Sequence, residues 1–172
     1  MAKTTKASPV SASATPSRRD GEVLYWLLKS EPDVFSWDML IAKGDAGESW
    51  DGVRNYLARN NMRAMRVGDL GFFYHSNEGK AVVGICEICA PAHPDATDGT
   101  GTWECVDVKA FAPLSKPVTL ADVKANPKLA KMALVTSMRL SVQPVTADEW
   151  KEVCRMGGWT AAKAARPAKS RA

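Results

Sequence analysis

Residues 70–90 read LGFFYHSNEGKAVVGICEICA. Two runs rich in aromatic and β-branched residues, Leu70 to His75 and Ala81 to Ala90, flank the polar stretch SNEGK, in which Gly79 supplies the turn. This predicts an antiparallel hairpin. Side chains alternate along a strand, so Phe72 and Tyr74 face one side and Phe73 and His75 the other. Upstream, Val23 to Lys29 (VLYWLLK) predicts a buried first strand that Pro32 ends. Ser36 then caps a short helix, WDMLIAKG, closed by Gly44. Tyr56, Leu57, Met62 and Met65 recur at helical spacing between Asp51 and Gly68, which predicts a helix entered through an Asp-Gly turn. Downstream lie a polar loop, PAHPDATDGTG, a strand from Trp103 to Phe111, and a helical piece begun by Thr119 and Asp122 and interrupted at Pro127. A strand-like MRLSVQPV follows, then a closing helix from Thr146 to Met156 with Glu149 behind its cap. No internal repeat is present. Short strands mixed with short helices predict an α+β domain on a twisted or barrel-like sheet.

The chain has 172 residues and 45% hydrophobic content, which suits one domain with a full core. No run approaches the roughly 18 apolar residues that a membrane span needs, and no secretory signal is visible, so a soluble intracellular protein is expected. Residues 1–21 and 160–172 are expected to be disordered basic tails around a folded unit spanning 22–159. A transit peptide is disfavoured because Pro9 and Pro16 would break its helix. The first flank carries Lys3, Lys6, Arg18 and Arg19 against Asp20, and the second Lys163, Arg166, Lys169 and Arg171 with no acid. Together they hold +7 of a total charge of +4, leaving −3 on the folded part. The basic pI therefore belongs to the flanks, which suit weak, salt-sensitive contact with a polyanion or serve only solubility.

Cys86 and Cys89 form a C-x-x-C with His93 and Cys105 near, a zinc-like spacing. On an alternating strand, however, the two sulfurs diverge, so buried reduced thiols are expected. Nucleophilic catalysis would rest on His75 beside Ser76, but adjacent strand residues point apart. Asp33, Asp38 and Asp51 stand where turns and helix starts favour an acid. GDAGESWDG lacks the Lys-Ser/Thr of a phosphate loop. No catalytic residue, metal or cofactor is therefore expected. Trp50 differs from these: it sits in a Gly-flanked acidic loop before RNY, where an exposed indole with Asn and Ser at its margin could stack an unpaired base. Trp26, Trp37, Trp150 and Trp159 are read as core.

The motifs YWLLKSEPDVFSWDML, WDGVRNYLARNNMRAMRVGD, FFYHSN, VVGI and RLSV, from about Tyr25 to Gly157, together resemble the EVE domain family. The resemblance implies a PUA-like fold, a small curved β-barrel flanked by short helices, related to the YTH readers of methylated adenine. It implies a non-enzymatic reader that captures a modified nucleobase, a modified cytosine or a methylated adenine, of DNA or RNA. Carried onto this chain, the modified-base site comprises Lys29 and Ser30, Trp50, Arg54 and Asn55, Tyr74, His75 and Ser76, and Arg139 and Ser141. Trp50 takes the place of a cage tryptophan, with Trp103 or Trp26 as candidate second walls. Thr136 to Met138 depart from the family pattern, which commonly has an arginine there. One alternative from the same superfamily is a small ASCH-like hydrolase acting on nucleosides or amides, pairing His75 with an acid such as Asp51; another is an RNA-binding accessory domain indifferent to modification. A monomer is expected, cytoplasmic or nucleoid-associated in a bacterium and nuclear in a eukaryote.

Overall fold

A computed structural model describes residues 16–161. The strands are β1 (Tyr25–Ser30), β2 (Glu48–Ser49), β3 (Leu70–His75), β4 (Ala81–Pro94), β5 (Glu104–Thr119) and β6 (Val142–Val145). The helices are α1 (Trp37–Lys43), α2 (Tyr56–Ala64), α3 (Leu120–Ala125), α4 (Ala133–Thr136) and α5 (Ala147–Met156). The strands form one mixed sheet in the order β2-β5-β4-β3-β1-β6. This is the α+β class expected, with a sheet that stays open: β2 and β6 are its edges. β1 runs parallel to β3, while its pairing with β6 and those of β3 with β4 and β4 with β5 are antiparallel.

The hairpin appears as read, but its long arm is longer than the sequence suggested. β4 runs through Pro91 and Pro94, and β5 through Pro113 and Pro117. Four register shifts along the β4–β5 pair accommodate these residues; bulges are where a sheet tolerates a missing N–H, and they bend the strands. Of MRLSVQPV, the part from Val142 to Val145 pairs as a strand.

Alternation on β1 and β3 divides the core between the two faces. Trp26, Leu28 and Phe73 pack with Trp37 and Leu40 of α1 and Met62 of α2. Leu27, Phe72 and Tyr74 pack on the other side with Val123 of α3 and Trp150 and Val153 of α5. The caps predicted at Ser36, Thr119 and Thr146 each accept the N3 backbone N–H. Trp37 at the start of α1 lies so close to Gly84 that a Cβ there would come within 2.4 Å of its ring.

Most of the expected tails lies outside the described residues. Within the described part, Arg18 is docked: its guanidinium donates to both carboxylate oxygens of Asp69, at 2.6 and 2.5 Å, and to the carbonyls of Glu22 and Ala64. Asp69 also accepts from the Trp26 indole and from the Leu24 and Arg66 amides.

Candidate functional site

After α1 the chain turns through a short 3-10 segment, Gly44–Ala46, and meets β5. At Gly47 (φ +65°) a Cβ would lie 2.4 Å from the Val108 carbonyl oxygen, so only glycine lets the turn approach this closely. Glu48 and Ser49 then pair with Val108 and Asp107, and the Trp50 amide donates to Val106 O at 2.8 Å. Trp50 is thus part of the sheet edge and is only 7% exposed. Its ring stands edge-on to Phe73 (centroids 5.5 Å apart) and to Phe35 (6.3 Å). The loop reading made it a free platform; the backbone bond to β5 makes it core as well as wall.

Beyond Trp50, the buried Asp95 carboxylate organises the turn. Burial alone would raise its pKa, but bonds from Thr97, the Gly52 amide and Arg54 outweigh that and hold it well below the carboxylate range. The Arg54 guanidinium is fixed by Asp95, the Thr97 hydroxyl and the Val53 carbonyl.

These elements enclose a pocket of about 460 Å³, within the usual range for small-ligand sites. Phe35 and Trp50 are its aromatic walls, and Ser30, Ser141, Lys29 and Arg54 supply polar groups. The Ser30 hydroxyl donates to Phe35 O at 2.6 Å, leaving its oxygen as an acceptor. Asp51 also lines the pocket, and burial, with Asp95 and Glu48 close by, raises its pKa. Burial lowers that of Lys29, whose Nζ donates to Met138 O at 2.7 Å.

Of the residues carried over from the family pattern, Lys29, Ser30, Trp50, Arg54 and Ser141 therefore meet in one pocket. Asn55 instead caps α2, its side-chain oxygen accepting the Ala58 amide. His75 Nε2 accepts the Trp37 amide at 3.1 Å, which anchors the start of α1. Tyr74 and Ser76 line a second recess, which also reaches Lys29. Arg139 is exposed on the segment before β6. Neither suggested second wall lines the pocket: Trp26 is fully buried, and Trp103 packs on Tyr56 with the Arg54 guanidinium 5.8 Å from its ring. Phe35 takes that position. Its only trace in the sequence was an aromatic in the SEPDVFSW connection, which resembles any core residue. His75 is outside the lining that holds Asp51, so the hydrolase pair is not assembled there.

Among the described residues no group of three or more His, Cys, Asp or Glu side chains is arranged for a metal ion. Cys86 is buried in the core, where its thiol donates to Gly71 O and burial pushes its pKa up to about 12. No described helix is long and apolar enough to cross a membrane.

The sequence profile of the EVE domain matches residues 24–156. Human thymocyte nuclear protein 1 is 33% identical over 182 residues, covering 87% of this chain and 81% of its own. A crystal structure of an Agrobacterium tumefaciens protein is similar, with 66% identity, a TM-score of 0.79 and coverage of 80% of this chain and 94% of that one. Another is that of human THYN1 protein in complex with DNA containing 5-methylcytosine, at 34% identity and a TM-score of 0.74, covering 80% of this chain and 99% of that one.

Proposed function

The chain belongs to the EVE domain family, and from that premise we propose that it is a non-enzymatic reader that takes one modified base of a nucleic acid into the Trp50 pocket. The observation that carries this reading is the pairing of two aromatic walls, Phe35 and Trp50, with hydroxyl, cationic and carboxylate groups in the lining of one 460 Å³ pocket. An unstacked base needs this combination: π surface to replace lost stacking, and donors and acceptors at its edge. Stacking contributes about 1–3 kcal/mol per base. Ser30, Ser141, Lys29 and Arg54, which line the pocket, are the groups proposed to read the edge. Asp51 is the acceptor suited to an exocyclic amine such as that of cytosine. Binding of DNA containing 5-methylcytosine by the human relative makes a modified cytosine in DNA the first ligand to test.

No nucleophile with an oriented base lines the pocket, which favours recognition over turnover. Titration of the protein with matched oligonucleotides, DNA and RNA, with and without the modified base, tests the reading. Tighter binding to one modified strand is expected, with the strand recovered unchanged. Equal affinity for modified and unmodified strands, or conversion of the base, would overturn it.

A further inference from the structure

Lys29 and Tyr74 are register partners across the parallel β1–β3 pair. On the side of the sheet away from Trp50 they open a second recess of about 170 Å³. Tyr74 is 4% exposed, yet its hydroxyl has no hydrogen-bond partner among the described residues and is not sealed from solvent. The ring is buried while the hydroxyl reaches the recess, where it is free to donate to a bound group. Burial raises the Tyr74 pKa, which keeps it a neutral donor. Lys29, Lys80, Ser76 and Asn77 supply the other polar lining groups, and no carboxylate joins them.

The loop that carries three of these residues is conformationally unusual. Asn77 (φ +67°) and Lys80 (φ +39°) are the non-glycine residues with positive φ among those described, and both belong to the β3–β4 turn. Asparagine tolerates that region, whereas lysine does so at a cost. Lys80 is held there by its carbonyl, which accepts the Leu120 amide at 2.8 Å. Strain of this kind persists where the surroundings over-determine it, and it clusters at ligand-binding sites.

A small recess with two ammonium groups, a phenol, a hydroxyl and an amide, and no acid, is complementary to a compact oxyanion. It is smaller than the usual small-ligand pocket. We infer that this recess binds a phosphate group, and specifically a backbone phosphate next to the base held against Trp50. The inference rests on the base-reader reading for its source of phosphate, because Lys29 lines both chambers and places them one side chain apart. Tyr74 and Ser76 then hold the strand's backbone rather than reading the base.

The test uses the full chain with Tyr74→Phe and Lys80→Met, titrated with four probes. These are orthophosphate followed by ³¹P NMR, the modified nucleoside without phosphate, the modified strand, and that strand with single neutral methylphosphonates around the modified base. Tyr74→Phe is expected to weaken orthophosphate and strand binding about tenfold, the loss of one bond to a charged group. Lys80→Met should lower the salt slope of strand binding by about one. One methylphosphonate position should erase the difference between wild type and Tyr74→Phe, and nucleoside binding should be unchanged in both variants. Weakened orthophosphate binding with strand binding intact would overturn the backbone assignment and make free phosphate the occupant. Unchanged binding of both by both variants would overturn the site. Wild-type phosphate binding without nucleoside binding would sink the base reader while leaving the recess standing.

Discussion

The Trp50 and Phe73 rings meet nearly at right angles, 89° between planes with centroids 5.5 Å apart, so the indole that walls the pocket is also keyed into the core through β3. Trp50→Ala should therefore do two things. Removing a 93%-buried indole should cost about 3–5 kcal/mol of stability, and the variant that remains folded should lose about 1–3 kcal/mol of binding with the stacking surface. Trp50→Phe retains part of the edge contact and should lose less of both. Denaturant unfolding and oligonucleotide titration on the two variants measure the terms separately. A Trp50→Ala protein that binds the modified strand like wild type would remove the stacking role.

Arg18 and Asp69 form a pair whose side chains are 7% and 2% exposed. Arg18→Ala strips the buried Asp69 carboxylate of its charged partner and leaves it three neutral donors, so it should destabilise by about 3 kcal/mol, the lower end of what breaking a buried pair costs. Burial raises the Asp69 pKa, but the bonds from Arg18, Arg66, Trp26 and Leu24 more than reverse this, and the net shift is downward. A depressed carboxylate contributes stability that is present above its unfolded value, near 3.8, and is lost as pH falls through the folded one. Acid unfolding of Arg18→Ala should accordingly begin at higher pH than in wild type. Trypsin should cut slowly after Arg18 in wild type and faster there when Asp69 is replaced by Ala.

His75 holds the start of α1 by accepting the Trp37 amide, which only the neutral ring can do. Burial lowers its pKa from the ordinary 6.5, opposed by the nearby Asp38 charge. Below about 6.5 the unfolded chain then binds a proton that the folded one does not, so stability falls as pH falls through that window. His75→Leu should lose about 1 kcal/mol at neutral pH through the orphaned amide and show a flatter stability profile between the ordinary and the lowered pKa. Thermal melts of both proteins across pH 5 to 8 check this. An unaltered slope would mean that His75 does not titrate as its burial requires.

What could be read without coordinates was whatever is decided within a few residues. The caps at Ser36, Thr119 and Thr146 work through contacts three residues away, and the β3–β4 hairpin follows from alternation and one turn. The parallel β1–β3 pair, the Arg18–Asp69 contact 51 residues apart in sequence, and the passage of β4 and β5 through four prolines depend on distant partners, and nothing local announces them. The same limit explains the site. The family pattern collected the polar residues around the carboxyl end of β1, but two chambers on different faces of the sheet look like one cluster in sequence. Tyr74 and Ser76 went with His75, although alternation turns them toward the other face. Asn55, read as a base contact, is used up in part by capping α2.

Trp150 separates stability from recognition. Its indole is sandwiched between Phe72 (centroids 4.0 Å apart, planes at 19°) and Tyr25 (4.4 Å, 17°), on the face of the sheet opposite Trp50. At 4% exposure it joins α5 to β1 and β3 and has no atom in the lining of the Trp50 pocket. Trp150→Ala should cost about 3–5 kcal/mol, comparable to Trp50→Ala. Because the stacked pair lies behind β3, the folded fraction should bind the modified strand with wild-type affinity, and any apparent loss should vanish once titrations are corrected for the folded population or run well below the melting temperature. The two tryptophan variants thus share a stability defect and differ in binding. If Trp150→Ala weakened binding of the folded protein as much as Trp50→Ala does, loss of the indole at the pocket would not be what Trp50→Ala reports, and the assignment of the base to that pocket would fall.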